Sequence, residues 1–494
     1  MLFTSLSFLL FFPIVLLLYR ILPRRLRWLM LLVASYIFYG SFSPDLIYLI
    51  LLTTVISYVC ARKLEFAPTK FSRRVYLAIT IVSSLAVLLF FKYFNFIAEN
   101  VAEIMQIMGM GSNDFTLDIL LPIGISFYTF QTISYVVDVY RGRIKAEKHF
   151  GYYALFVSFF PQVIAGPIEK PENLLPQLRK KNPATGYDTA LGLKLMAVGF
   201  FKKIVIADQI SKYVDAVFNN VAAEATVLVN GFTVALAVVL FAIQIYCDFS
   251  GYTDIAIGCA RIMGIKLMQN FNSPYSATTV RDFWRRWHMS LTTWFVDYVY
   301  VPMGGSRCGK VRHSFNIMVV FLISGIWHGA AWTFVLWGLV QGVYYLVGMF
   351  TQAPREKMWE KLGVKQTNPV LIWAKRVITF ILIGFSWILF RANDLRDAGR
   401  LFTHLFTGWG SVSISASLTA LGLPIVTLLT IAASVYIMTQ LDKQITLRTD
   451  DLHLNDGLSV GRAHAYVVLT WTIAAAWMML LATGSVIPFI YFQF

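Results

Sequence analysis

Apolar runs close to the length of a membrane-crossing helix alternate with short basic loops along almost the whole chain. Leu2 to Leu22 leads into Arg24, Arg25 and Arg27, and Leu26 to Phe42 turns at Ser43-Pro44-Asp45 into Leu46 to Cys60. Arg62, Lys63, Lys70, Arg73 and Arg74 then precede Val75 to Ala98. Such continuous runs predict helices crossing a hydrocarbon core of ~30 Å, which takes about 20 residues. A membrane β-barrel would show short alternating segments instead. Basic residues mark cytoplasmic loops, so the N-terminus and the stretch Glu99 to Asp118, which has no Lys or Arg, are expected outside. Met1 to Leu22 lacks the basic start and small-residue cleavage site of a signal peptide and reads as a retained first span.

Ile119 to Val139 returns inward. His149 to Ala165 is short, carries Pro161 and ends in Gly166-Pro167 between two basic clusters, which predicts a re-entrant segment. Thr189 to Ala207 is expected to go out, with Lys202 and Lys203 set against the charge rule near its outer end. Val227 to Asp248 comes in and is followed by a polar continuation to Asp254, where Asp254 has Arg261 within reach for a pair. Val377 to Phe390 goes out, Ala420 to Met438 comes in, Asp442 to Arg462 is a cytoplasmic loop, and His464 to Thr483 goes out. The tail Phe489 to Phe494 is then expected at the outer face. With no repeat, low-complexity tract or soluble domain, residues 1–494 read as a single integral membrane domain.

The chain is organised around Phe315 to Phe350, which holds no charged residue and whose strongly polar side chains are Asn316, His328 and Gln341. The run is too long for one crossing. Basic residues on both flanks, Arg307 to His313 before it and Arg355 to Lys365 after it, ask for both ends on one side. Two arms meeting at a turn satisfy this, with Gly325 and Gly329 the expected breakers and His328 near the apex. Just upstream, Asp282-Phe283-Trp284-Arg285-Arg286-Trp287-His288 interleaves charges with indoles, as interfacial segments do.

Composition agrees: 57% of the 494 residues are hydrophobic and 14% charged, more apolar surface than a soluble domain of this size could bury. The net charge of +16 would suit nucleic acid, but the Lys and Arg occupy the short loops that topology demands, so no nucleic-acid partner is expected. Cys60, Cys247, Cys259 and Cys308 have no ligand-like spacing, and neither disulfide nor metal is expected.

An ionisable residue inside a membrane is expensive and faces a cavity or a partner. His328 is therefore the leading catalytic candidate, since imidazole takes and returns a proton near neutral pH; a bond to a neighbouring helix is the competing role. His288 divides evenly between function and an interfacial belt, and Arg285 and Arg286 read first as headgroup or topology charges. No phosphate loop, metal cluster or Ser/His/Asp signature is present.

The chain nevertheless resembles a known family through Pro122-Ile123-Gly124-Ile125-Ser126-Phe127-Tyr128-Thr129-Phe130-Gln131, Gln162 to Ile168, Cys247-Asp248-Phe249-Ser250-Gly251-Tyr252-Thr253-Asp254, Asn270 to Tyr275, Phe283 to His288, Pro302 to Gly305 and Ile326-Trp327-His328-Gly329. These stretches resemble the membrane-bound O-acyltransferases, in particular the bacterial alginate O-acetylation branch, over most of the chain. The resemblance implies an all-α polytopic membrane protein, a ring of tilted helices with re-entrant segments around a central catalytic funnel. It implies His328 as the catalytic histidine and His288 as a second functional one, with Trp284, Arg285, Trp287, Asn270 and Trp327 as candidates for the substrate funnel.

The family moves an acyl group from a thioester to a hydroxyl, which needs one base to take the hydroxyl proton and pass it to sulfur. The expected donor is acetyl-coenzyme A or an acylated carrier protein on the cytoplasmic side, with no bound cofactor. The expected partners are an extracytoplasmic acetyltransferase or the acceptor polymer, alginate-like exopolysaccharide or peptidoglycan, together with membrane lipid. The expected location is a bacterial cytoplasmic membrane with both termini outside. The tail pattern Phe489-x-Tyr491-x-x-Phe494 is similar to the end of the small companion peptide of teichoic-acid D-alanylation, which makes Tyr491 a candidate acyl relay beside its reading as an aromatic anchor. D-Alanyl transfer to teichoic acid and a non-enzymatic transporter are the alternative functions; a broken helix also builds carrier sites, although no inverted repeat is visible.

Overall fold

The computed structural model describes residues 1–42, 44–110, 116–180, 184–222, 230–410, 413–420, 422–450, 471–478 and 489–490, and among these there is no strand. The first half holds α1 (Leu6–Ile21), α2 (Arg24–Gly40), α3 (Ile47–Phe66), α4 (Lys70–Ile107), α5 (Ile125–Tyr140), α6 (Phe150–Ser158), α7 (Pro171–Arg179), α8 (Gly186–Phe200), α9 (Asp208–Ala222) and α10 (Gly231–Ile262). Then come α11 (Val280–Trp284), α12 (Met289–Phe295), α13 (Lys310–His328), α14 (Trp332–Phe350), α15 (Gln352–Lys361), α16 (Pro369–Arg391), α17 (Leu395–Leu405), α18 (Ile414–Ala420) and α19 (Ile425–Asp450). Several long helices begin at polar residues placed just before an apolar run: Thr69 with Ser72, Thr185 with Asp188 and Asn230 with Thr233 each form reciprocal caps. Six helices among the described residues are long and apolar enough to cross a membrane. α1 has 16 residues, about 24 Å at 1.5 Å per residue, less than a full core thickness.

The helix α6, nine residues long, is too short to cross, and the chain after it runs through buried irregular backbone from Phe159 to Ile168 into α7. Non-helical backbone at membrane depth requires such burial.

Several expectations are corrected around α8 to α10. The path from Gly186 does not stop at Ala207; a π-helical turn over Phe201–Ala207 carries it on into α9. The whole path lies antiparallel along α10, with Gly192 against Gly258 and Gly199 against Gly251, where a Cβ on Gly251 would stand 2.7 Å from the Gly199 carbonyl oxygen. Lys202 and Lys203 are thus mid-length rather than at an outer end. Lys202 Nζ pairs with Asp254 at 2.8 Å and Asp442 at 2.9 Å, and Lys203 Nζ with Asp208 at 2.8 Å and Asp248 at 2.6 Å. Those pairs explain why α10 continues through Asp248 and Asp254 as one helix of 32 residues instead of ending at Asp248, and why α19 continues past Asp442. Arg261 pairs with Asp188 at 2.8 Å, not with Asp254.

The tail packs against α10. Phe489 and Ile490, the two described residues of the tail, are buried within the bundle: the Ile490 N–H donates to Asp248 Oδ2 at 2.6 Å, and the Phe489 ring lies 4.6 Å from Tyr252 and 5.5 Å from Phe249. Tyr491 and the residues after it lie outside the described residues, as do Asp114 and most of His464 to Thr483.

The run Phe315 to Phe350 forms the expected two arms, α13 and α14, joined at Gly329–Ala331. Gly325 is not a breaker. It sits inside α13 where a Cβ would meet the Phe334 carbonyl and stand 3.1 Å from Gly338 Cα, so it lets the arms touch backbone to backbone.

Candidate functional site

His328 is the last residue of α13 and is buried. Its imidazole stands in a cage of rings drawn from three helices, with centroids at 4.9 Å to Trp327, 5.1 Å to Trp337 of α14 and 5.2 Å to Phe390 of α16. Beneath the cage, Gln341 of α14 accepts from Trp284 Nε1 at 3.1 Å and donates to Ser386 Oγ of α16 at 2.6 Å, so one amide ties α11 and α16 to the hairpin. Buried polar groups that are fully bonded in this way fix relative positions.

His288 comes from the turn between α11 and α12 and is 1% exposed, as are Phe283 and Trp287. The segment Phe283 to His288 is therefore core, not interface: α11 turns Arg281 and Arg285 outward and its aromatics inward, and Arg286 pairs with Asp282 at 2.9 Å. His288 has φ +44°, a left-handed conformation that is strained for a residue other than glycine. Asn270 holds it there, its carbonyl accepting from Met289 N at 2.9 Å and its Oδ1 from Ser290 Oγ at 2.9 Å. The imidazole faces Phe249 at 4.6 Å and Trp327 at 6.3 Å, and neither ring nitrogen meets a hydrogen-bond partner among the described residues. A strained, over-determined position with an unsatisfied buried side chain is where function concentrates.

Trp327 is in ring contact with both histidines, and two cavities lie along this part of the bundle. One, of about 340 Å³, runs beside α13 from His313 to Ser324 and is entered past Arg281, Tyr300 and Ser306, with Trp284 and Phe321 deeper in. It begins at the basic end of α13. The other, of about 300 Å³, is lined by Lys92, by the segment from Leu120 to Phe127, and by Trp327 and His328 themselves. Of the sequence candidates, Trp284, Trp327, His288 and His328 come together here. Asn270 supports from behind, Trp287 is packed against Phe283, Phe271 and Trp387, and Arg285 is exposed away from the cavities.

Lys92 and Tyr93 were not singled out by sequence, yet both touch the end of α13. Lys92 Nζ donates to the carbonyls of Trp327 at 2.8 Å and His328 at 2.7 Å, and Tyr93 Oη to that of Ile326 at 2.6 Å. The signal was present, because Lys92 is the sole charged residue between Val75 and Ala98. No group of three His, Cys, Asp or Glu that could hold a metal occurs among the described residues.

Residues 147–390 match the profile of the membrane-bound O-acyltransferase family. The chain is 38% identical to a probable alginate O-acetylase of Pseudomonas aeruginosa over 82% of this chain and 75% of that protein. It is 36% identical to a peptidoglycan O-acetyltransferase of Helicobacter pylori over 78% of this chain and 74% of that one. It is also similar to a teichoic acid D-alanyltransferase of Bacillus subtilis, 29% identical over 57% of this chain and 70% of that protein. With a helical bundle whose buried histidine lines a cavity at the end of α13, and with this extent of similarity, the chain is an acyltransferase that belongs to the membrane-bound O-acyltransferase family.

Proposed function

We propose that this O-acyltransferase takes an acetyl group from a thioester donor in the cytoplasm, acetyl-coenzyme A or an acylated carrier protein, and delivers it for O-acetylation of an extracytoplasmic polysaccharide. The observation that carries this reading is the position of His328, on the wall of one cavity and one helical turn beyond the end of the other. In the bacterial cytoplasmic membrane the basic end of α13 faces the cytoplasm, so the first cavity admits the thioester and the second the acceptor hydroxyl. His328 takes the hydroxyl proton and returns it to the leaving sulfur, while the aromatic cage keeps water from the thioester. The names of the alginate and peptidoglycan relatives support acetyl as the acyl group and a surface polysaccharide as the acceptor, reached directly or through an outer acetyltransferase partner.

The test is the alkali-labile acetate and alanine on the surface polymers of cells lacking the chain, against cells carrying it. Loss of acetate alone is the expected result. Loss of alanine alone would transfer the assignment to D-alanyl transfer, and no change in either would overturn it.

A further inference from the structure

α13 ends without the usual backbone device. Its capping residue Gly329 has φ −159°, an extended conformation, so no left-handed turn folds back to bond the last carbonyls. The carbonyls of Ile326, Trp327 and His328 are bonded instead by two side chains of α4, Tyr93 and Lys92. For capping alone, neutral donors such as the Tyr93 hydroxyl suffice. Lys92 brings a full charge into an otherwise apolar stretch of helix, where charge is costly, and it meets no carboxylate among the described residues. Lys202 and Lys203, by contrast, each face two. An ammonium has three protons; two are held by the carbonyls of Trp327 and His328, and Lys92 also lines the cavity that His328 lines.

Resting on the acyl-transfer reading above, we propose that Lys92 is a catalytic residue: it pins the His328 end of α13 and uses its remaining N–H to hold the acyl oxygen as it becomes negative. In that step the acceptor oxygen bonds to the thioester carbon and the carbonyl π pair moves onto oxygen, where the ammonium holds it. The pair then returns as the carbon–sulfur bond breaks, and the hydroxyl proton passes through His328 to the thiolate. A fixed cation aimed at charge that develops only in the transition state raises turnover without tightening ground-state binding.

The experiment compares Lys92→Met, Lys92→Gln, Lys92→Arg, Tyr93→Phe and His328→Ala in the full chain, reading acetate released by mild alkali from washed cells per molecule of protein in the membrane, with thermal unfolding of each purified variant in detergent. Met and Gln are expected to lower acetylation about 100-fold, the scale for removing one oxyanion donor, although Gln can still bond a carbonyl. Arg, keeping charge and donors, should recover at least tenfold over Met, and Tyr93→Phe, which uncaps the same helix end, should stay within about threefold of the parent. Parental acetylation in Lys92→Gln, or equal losses in Lys92→Met and Tyr93→Phe that follow their unfolding midpoints, would reduce Lys92 to a cap. Acetylation surviving in His328→Ala would sink the acyl-transfer reading itself, whereas a null His328→Ala beside a parental Lys92→Gln would remove the role of Lys92 alone.

Discussion

Around Lys202 and Lys203 each buried ammonium faces two carboxylates, while the buried imidazoles of His288 and His328 face rings from Phe249, Trp327, Trp337 and Phe390. Both regions place ionisable groups deep in a helical bundle, and burial alone does not tell them apart. Partner chemistry does. A charge answered by opposite charge on neighbouring helices is committed to holding those helices together. The imidazoles instead stand among aromatic rings, and His328 also lines a cavity of about 300 Å³.

The sharpest way to break this contrast is His328→Ala. Removing the sole proton carrier of the proposed step should lower polymer acetylation by at least about 1,000-fold, with an unfolding midpoint close to the parent's. Lys203→Ala should do the reverse. Leaving Asp208 and Asp248 buried without their cation should destabilise the protein by on the order of 3–5 kcal/mol, seen as loss of folded protein in detergent rather than as a specific loss of turnover. If His328→Ala unfolds the protein while Lys203→Ala remains folded and inactive, the two regions have been assigned the wrong way round.

Smaller effects sharpen the boundary between them. Asn270→Ala removes the side-chain acceptor that pins Ser290 behind His288, and the loss should be about 1–3 kcal/mol together with reduced turnover, separable by measuring acetylation at matched folded amounts. Arg261→Ala opens a pair with Asp188 near the end of α10; both groups lie near the surface, so the change in midpoint should correspond to about 1 kcal/mol or less.

How far the sequence carried the reading depends on whether a feature was local. The paired arms of α13 and α14, the short α6 and the long first-half helices were legible because continuous apolar stretches and flanking charge are written along the chain. The extent of α10 was not, since two acids and a glycine after Tyr246 look like the end of a span until their cations, more than 40 residues earlier, are known. Lys202 and Lys203 misled for the same reason, seeming to violate a charge rule that a tertiary pair removes. His288 looked interfacial because its neighbours alternate in polarity; only the strained turn held by Asn270 shows that the aromatics of that segment point inward. Lys92 was legible as an anomaly but not as a neighbour of His328.

The glycine contacts between α8 and α10 have a further consequence for assembly in lipid. Gly192 and Gly199 are spaced as Gly251 and Gly258 are, so sliding one helix by that spacing would still leave one glycine opposite another. A contact without side chains sets how near the helices come but is nearly blind to such a slip. The lysines are not blind to it, because the same slip carries both away from Asp248 and Asp254 and strands their charges in a medium that tolerates none. The two features thus divide the labour of insertion, with glycine fixing the separation and charge fixing the register.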